Sequence, residues 1–151
     1  MPNLPKRLRP NSGFSLVEML IAIVVAGLLM AIALPKVRET VIRSEVRSAR
    51  SAVASMYARA RIHALQTRKS TVVNFNATKA WVTTTDGGGG LDTVGAVLNL
   101  TNAYGVAVAY TAPLIKFQPT GLTNVGAPVT VRVTRAGKAD SVVISGYGRL
   151  Q

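Results

Sequence analysis

The chain has no cysteine and only one histidine, His63, among its 151 residues. Without cysteine, disulfides and thiolate metal sites are excluded, so a folded domain here depends on packing alone. Beyond residue 35 there is also no closely spaced pair of acids that would suit acid–base catalysis or metal binding. We therefore expect neither an enzyme nor a bound cofactor, and we interpret His63 as a packed or surface residue.

Acids and aromatic residues are scarce as well. Six Asp and Glu stand against 18 Lys and Arg, and aromatic residues make up 5% of the chain. The basic excess favours anionic partners, either lipid headgroups or nucleic acid. However, the basic residues are not interleaved with aromatic ones, as a surface that stacks single-stranded bases would require.

The longest apolar run covers residues 14–34, whose only charge is Glu18. At 1.5 Å per residue a helix of this length spans about 31 Å, which is one bilayer crossing. Cations precede the run, so the positive-inside rule keeps residues 1–13 cytoplasmic and sends the rest of the chain outward. These cations are Lys6, Arg7 and Arg9. The carboxylate is unusual, because an acid at the centre of a membrane helix costs roughly 2.5–3.5 kcal/mol on insertion scales.

Two general interpretations explain this run only in part. A plain membrane anchor accounts for the length and the flanking charge, but not for Glu18. A cleaved secretory signal would use the small residues of Ala31-Ile32-Ala33, but the apolar region of such a signal has only about 7–15 residues.

A third interpretation accounts for every residue of the run. The sequence Gly13-Phe14-Ser15-Leu16-Val17-Glu18 resembles the prepilin cleavage motif of type IV pilins and secretion pseudopilins. The resemblance implies that a prepilin peptidase cuts between Gly13 and Phe14 and methylates the new amino terminus. Four residues make about one helical turn, so Glu18 can neutralise the α-ammonium group of Phe14, on its own chain or on a neighbour during assembly.

Residues 36–66 contain no glycine or proline, and their apolar residues recur at spacings of three and four. This spacing predicts one buried helical stripe, so that the helix continues from the apolar run for roughly 50 residues in all. The stripe comprises Ile42, Val46, Ala49, Val53, Met56, Ala60 and Ala64.

Six cations of residues 36–68 fall within an arc of about 60° on the same helix. They are Lys36, Arg43, Arg47, Arg50, Arg61 and Arg68. One interpretation is a solvated face with local ion pairs such as Glu39 with Arg43; the other is an anion-binding edge. One helix face cannot decide between them, because Arg stems also pack on neighbouring subunits.

From residue 70 the pattern becomes that of β-strands. Residues 71–75 and 80–85 are predicted to form a hairpin with Trp81 in the core, and the glycine run after Asp86 is interpreted as a flexible linker, since a P-loop lysine is missing. Further strands are predicted at residues 95–100, 105–110, 114–118, 129–134 and 141–145, with a turn at 135–140.

Two further stretches resemble the GspH/FimT family of pseudopilins and minor pilins: residues 58–65 leading into 70–75, and the closing residues 142–149. The resemblance implies an α+β, pilin-like fold in which a long N-terminal helix packs on antiparallel β-sheet. The expected parts are a leader (1–13), a transmembrane or filament-core helix (14–35), an amphipathic helix half (36–68) and a β-rich periplasmic or extracellular domain (70–151).

The function implied by this resemblance is that of a GspH-like minor pseudopilin, a structural subunit of the type II secretion system in the bacterial inner membrane. Its expected partners are the prepilin peptidase, other pilins or pseudopilins and membrane lipid. The alternative is a FimT/FimU-like minor pilin of a type IV pilus that binds DNA for natural transformation. The residues predicted to contact DNA or another anion are Arg43, Arg47, Arg50, Arg132, Arg135, Lys138 and Arg149.

Overall fold

A computed structural model describes residues 14–86, 88–123 and 125–151, so the predicted leader lies outside the described residues. The chain divides between Arg38 and Glu39 into two compact units, which are described separately. Its elements, in chain order, are α1 (Leu16–Thr67), β1 (Thr71–Phe75), β2 (Lys79–Thr85), β3 (Leu91–Thr93), β4 (Leu98–Asn99), α2 (Leu100–Tyr104), β5 (Ala107–Tyr110), β6 (Leu114–Phe117), β7 (Val129–Arg135) and β8 (Lys138–Ile144).

Helix α1 has 52 residues and continues through Pro35. Proline has no backbone N–H, so one helical hydrogen bond is lost there without ending the helix. Among the described residues, α1 is the one helix long and apolar enough to cross a membrane, with a mean hydropathy of 2.7 over its most apolar 18-residue window. In the first unit its apolar side chains are exposed, as a surface that faces lipid or neighbouring helices requires.

In the second unit α1 buries one face. The predicted stripe is buried from Val46 to Ala64, whereas Ile42 at its beginning is only half-buried. Tyr57 joins the stripe, although it was not among the residues predicted for it. The helix ends at Thr67, and Arg68 takes a left-handed conformation with φ of 54°.

Five strands form the first sheet, in the order β3-β2-β1-β6, with β4 beside β2, and every pairing is antiparallel. The predicted hairpin of β1 and β2 is present, and the Asn76 side chain organises its turn by accepting the N–H of Thr78 at 2.9 Å and that of Lys79 at 2.6 Å. A side-chain oxygen that accepts backbone N–H groups in this way mimics a backbone turn.

The glycine run after Asp86 lies in a hairpin loop, and the flexibility predicted for it stays a prediction. It connects two paired strands, because β2 and β3 are antiparallel with Thr85 opposite Leu91. The Asp86 N–H donates to the Gly90 carbonyl at 2.9 Å, and the Asp86 carboxylate accepts the N–H groups of Gly88 and Gly90. One aspartate therefore supplies several local hydrogen bonds within the described part of this loop.

The second sheet has three antiparallel strands in the order β5-β7-β8. The predicted turn at residues 135–140 is wrong, because Arg135 already pairs with Lys138. Only Ala136 and Gly137 form the turn, with φ of 45° and 77°. Positive φ at both positions is typical of the two-residue hairpin turn whose twist matches that of the strands.

One core lies between α1 and the two sheets, and its buried apolar residues all belong to the second unit. The Tyr57 and Phe117 rings meet within it at 4.8 Å between centroids. Trp81 is half-buried, outside this core, which corrects its predicted position. Strand alternation is the reason, since Ala80 and Val82 take the buried face of β2 and turn Trp81 to the other side.

The short helix α2 was not predicted. Asn99 caps its start by accepting the Asn102 N–H, and Gly105 ends it with φ of 62°. Asn before a helix and Gly after it are known capping signals, but five residues are too few to show a helical period. The predicted overall arrangement, a long N-terminal helix packed on antiparallel sheets, is confirmed.

Candidate functional site

The predicted processing site lies at the beginning of the described chain, although Gly13 falls outside it. Phe14 is exposed and precedes α1, and the Met19 N–H donates to the Ser15 carbonyl at 3.1 Å. Glu18 lies in the first turn of α1, where a carboxylate interacts favourably with the positive end of the helix dipole. An amino terminus created at Phe14 would therefore begin one turn before this carboxylate.

Two of the predicted basic residues share one acid. Glu39 accepts a hydrogen bond from Arg43 at 2.8 Å and pairs with Lys138 of β8 at 2.7 Å. The pKa of Glu39 is lowered to about 2 by hydrogen bonds and positive charge. Lys138 contributes more to this shift than Arg43. The local pair predicted between Glu39 and Arg43 is thus present, but it is extended by a lysine from a distant hairpin.

Two more of the predicted cations also pair with acids. Arg135, at the end of β7, contacts Glu45 of α1 at 2.6 Å and donates to the Tyr104 carbonyl. Arg50 of α1 donates to the Ser141 carbonyl at 3.0 Å and lies 3.5 Å from the Asp140 carboxylate. Cations and acids from α1 and the β7–β8 hairpin therefore neutralise one another, and we name these seven residues the helix–hairpin ion cluster. Its members are Glu39, Arg43, Glu45, Arg50, Arg135, Lys138 and Asp140.

The other three predicted cations are Arg47, Arg132 and Arg149, and all three are exposed. Their side chains form no hydrogen bond or ion pair with any residue that the structure describes. They lie on α1, on β7 and in the segment after β8, so the fold does not place them on one element. Of the seven predicted anion-binding residues, four are thus occupied and three are available to a partner.

His63 is half-buried, and its Nδ1 lies 3.4 Å from the Thr71 hydroxyl. Within residues 14–86, 88–123 and 125–151, no group of three or more His, Cys, Asp or Glu side chains could hold a metal ion.

Sequence reasoning missed Tyr57, whose side chain is 1% exposed. Its hydroxyl is buried and has no hydrogen-bond partner in the described chain. Burial raises the pKa of Tyr57 to about 12, and the nearby charge of Arg61 opposes that shift. Buried hydroxyls normally have a partner in the protein or an ordered water, and none of the described residues supplies one here. The spacing of the stripe could have identified Tyr57 as buried, but no sequence signal reveals a missing partner.

The chain matches one family model, described as the prokaryotic N-terminal methylation motif, over residues 8–34. No curated protein sequence matches the chain.

Solved structures resemble the chain over more of its length than the family model does. The type IV minor pilin FimU of Pseudomonas aeruginosa superposes with a TM-score of 0.60 at 18% identity, over 72% of this chain and 88% of that one. A second crystal form of FimU gives a TM-score of 0.56 at 16% identity, over 70% and 90%. The minor pseudopilin EpsH from the type 2 secretion system of Vibrio cholerae gives 0.59 at 12% identity, over 71% and 94%. At these identities the likeness shows a common fold.

Proposed function

We propose that this chain, a type IV pilin-like protein of the GspH/FimT type, is a minor structural subunit of an envelope filament. The observation that carries the proposal is the combination of two parts in one chain. The methylation motif covers residues 8–34, and α1 continues from it into a unit with the fold of a minor pilin and a minor pseudopilin. Either part alone would leave the function less defined, since an anchor can carry any domain and a fold can serve many functions.

In this proposal the prepilin peptidase removes residues 1–13 and methylates the amino group of Phe14. Residues 14–35 anchor the chain in the bacterial inner membrane, 36–68 form the amphipathic half of the helix, and 70–151 form the periplasmic or extracellular domain. The orientation follows from the three cations of the leader, which favour a cytoplasmic N-terminus. Glu18 provides the register of assembly, because a carboxylate among apolar helices gains most by pairing with the α-ammonium group of a neighbouring subunit.

Processing tests the proposal directly. The full chain is expressed with a prepilin peptidase, and mass spectrometry of the mature protein is expected to find N-methylated Phe14 as its first residue. Gly13→Val is expected to block cleavage, whereas Glu18→Gln is expected to allow cleavage but to keep the subunit out of filaments. Mature protein that begins at Leu34 would instead identify a cleaved secretory signal and would overturn the proposal.

The filament to which the subunit belongs is either a type II secretion pseudopilus, with a GspH-like role, or a type IV pilus, with a FimT/FimU-like role. Each alternative has one similar structure: FimU is a type IV minor pilin, and EpsH is a minor pseudopilin of a type 2 secretion system. Deletion of the gene separates them: loss of protein export with surface pili intact identifies the secretion system, and loss of pili with export intact identifies the pilus.

DNA capture is the weaker extension of this proposal. It needs clustered cations, but four of the seven predicted ones belong to the helix–hairpin ion cluster.

A further inference from the structure

A bulge interrupts the edge of the first sheet between β3 and β4. Thr93 of β3 pairs with Thr83 of β2, and Leu98 of β4 pairs with Ala80. The edge therefore has four residues, 94–97, where β2 has only two, 81 and 82. Extra residues bend a strand away from its partner, and such bulges are frequent next to active sites.

The bulge borders a pocket of about 390 Å³ beside α1, a volume within the range of about 300–1,000 Å³ that is typical of ligand sites. Helix α1 lines it with Ala52, Met56 and Arg59, among others, and the bulge lines it from Val94 to Leu98. The buried side chain of Val82 also belongs to the lining. Apolar side chains thus form much of the pocket, next to an arginine.

The pocket has positive charge and unused hydrogen-bond donors. Among the described residues that line it, Arg59 alone is charged, and the Arg59 side chain forms no ion pair or hydrogen bond with the described chain. The successive backbone N–H groups of Gly95, Ala96 and Val97 also donate to none of the described residues.

These donors fit a carboxylate. Gly95 turns the chain with φ of 75°, and successive backbone N–H groups in a turn bind anions. An arginine binds a carboxylate through two parallel hydrogen bonds, and the single charge of Arg59 matches the single charge of that group. The apolar part of the lining accommodates a small aliphatic group attached to the carboxylate.

The adjoining strand favours a peptide as the molecule that carries this carboxylate. β3 lies at the edge of the sheet, and all three of its residues are exposed. Alternate residues of an edge strand direct their N–H and C=O groups away from the sheet, where an extended peptide can pair with them. Strand addition and capture of a C-terminal carboxylate by backbone N–H groups are both known modes of peptide recognition.

We propose that this pocket captures the C-terminal carboxylate of a polypeptide whose last residue is small and aliphatic, such as valine. The carboxylate accepts the N–H groups of the bulge and pairs with Arg59. The last side chain contacts the apolar lining, and the preceding residues pair with the edge of β3. This site goes beyond the proposed filament function, since it uses no residue of the N-terminal processing motif.

Peptide binding to the full chain in neutral detergent micelles tests the site. The probe is the N-terminally labelled peptide Gly-Ser-Gly-Ser-Thr-Val with a free carboxylate, and fluorescence anisotropy measures its affinity. We expect saturable binding that becomes about tenfold weaker for the same peptide with a C-terminal amide, because the charge-assisted hydrogen bonds are lost. Isovalerate, which has the carboxylate and the aliphatic group without the peptide, is expected to compete far less well than the unlabelled peptide.

Two variants locate the binding site. Arg59→Gln is expected to weaken binding of the free-acid peptide about tenfold and to reduce the preference for acid over amide. Val97→Asp places a like charge beside the carboxylate and is expected to abolish saturable binding. The matched control is Arg47→Gln, which removes an exposed cation elsewhere on α1 and is expected to leave the affinity unchanged. Circular dichroism verifies that each variant is folded.

Equal affinity for the acid and the amide, equal competition by isovalerate, or unchanged affinity in folded Arg59→Gln would each overturn the proposed site. Absence of saturable binding at millimolar peptide would overturn it as well. None of these results affects the proposed function, which depends on processing at Phe14. Conversely, mature protein that begins at Leu34 would remove the filament function even if the peptide binds.

Discussion

At the scale of single residues, Tyr57 combines a well-packed ring with a hydroxyl that has no partner. The ring contacts Phe117 in the core, whereas the oxygen is buried next to Gly148. A buried polar group without a partner loses its bonds to water and costs about 1–3 kcal/mol.

The first prediction follows from that cost. Tyr57→Phe keeps the ring and removes the orphaned oxygen, so we expect the free energy of unfolding to rise by about 1 kcal/mol. Urea denaturation of the full chain in neutral micelles, followed by the fluorescence of Trp81, measures the change. Tyr110→Phe, at a partly exposed ring, is the control and is expected to have little effect. A loss of stability in Tyr57→Phe would mean that the hydroxyl has a partner.

The same variant makes a prediction about alkaline pH. Burial raises the pKa of folded Tyr57 to about 12 from an ordinary value of 10.0. Between these values the unfolded chain loses the phenolic proton and the folded chain keeps it, so the contribution of Tyr57 to stability falls as pH rises. Unfolding measured from pH 9 to 12 should therefore show a steeper loss in the natural chain than in Tyr57→Phe. Parallel curves would contradict the raised pKa.

At the scale of elements, the β7–β8 hairpin carries a local strain that can be relieved. Ala136 has φ of 45° in a two-residue turn that favours Asn followed by Gly. Because L-residues other than Asn and Asp are disfavoured in the left-handed region, we expect Ala136→Asn to raise the free energy of unfolding by about 0.5–1 kcal/mol. Ala139→Asn, within β8, is the matched control and is expected to lower it slightly, since Asn is a poor strand residue.

The same hairpin is attached to α1 through the helix–hairpin ion cluster, which predicts an acid-sensitive contact. Glu39 has its pKa lowered to about 2 from 4.5 by Lys138 and Arg43. Its contribution to stability is therefore present above pH 4.5 and is lost as pH falls towards 2.

We expect Glu39→Gln to be less stable than the natural chain at pH 6 and the two stabilities to converge near pH 2. Thermal unfolding across this pH range measures the gap in stability between Glu39→Gln and the natural chain. At high salt this gap should narrow, because salt screens the ion pairs. Asp92→Asn is the control, because it removes an exposed carboxylate that pairs with none of the described residues. Its loss of stability between pH 6 and pH 2 should equal that of the natural chain. A constant gap between Glu39→Gln and the natural chain at all pH values would contradict the ion-pair explanation.

At the scale of the whole molecule, the excess of positive charge is not distributed as the sequence suggests. In the helix–hairpin ion cluster four cations face three acids, so the cluster contributes little net charge to a partner. Arg47, Arg132 and Arg149 remain available, but they lie on separate elements. On the predicted helix edge, Arg43 and Arg50 are paired with acids, so this edge holds less free charge than the sequence suggests.

This distribution predicts which of the seven residues proposed to contact DNA carry any binding to it. Replacing Arg47, Arg132 and Arg149 together with Ala is expected to weaken binding of the full chain to duplex DNA and to reduce the salt slope by about three, one unit for each phosphate that is no longer neutralised. Replacing Arg43, Arg50, Arg135 and Lys138 is expected to lower stability instead. Fluorescence anisotropy at several salt concentrations measures binding. The salt slope is the change of log affinity with log salt concentration. If it is steep and is lost only when Arg43, Arg50, Arg135 and Lys138 are replaced, the ion cluster opens to bind phosphate.

Sequence reasoning succeeded wherever a feature repeats along one element. The apolar run, the stripe from Val46 to Ala64 and the strand Thr71–Phe75 were all predicted, because helical and strand periods are local. It failed for β3 and α2, which have three and five residues and so show no period. Of the strand predicted at residues 95–100, only Leu98–Asn99 is present, as β4. It also gave no sign of the hydrogen bonds that the Asp86 carboxylate accepts from Gly88 and Gly90, because these depend on the local fold of the loop.

The sequence by itself determined the long helix, its apolar and amphipathic halves and the prepilin-type N-terminus, because each depends on neighbours within a few residues along the chain. Only the tertiary structure decided which cations are free, since Lys138 reaches Glu39 and Arg135 reaches Glu45 across about a hundred residues of sequence. It also decided that the Tyr57 hydroxyl lacks a partner and that Leu91 is exposed. Such facts depend on which elements pack together, and no period along the chain records that packing.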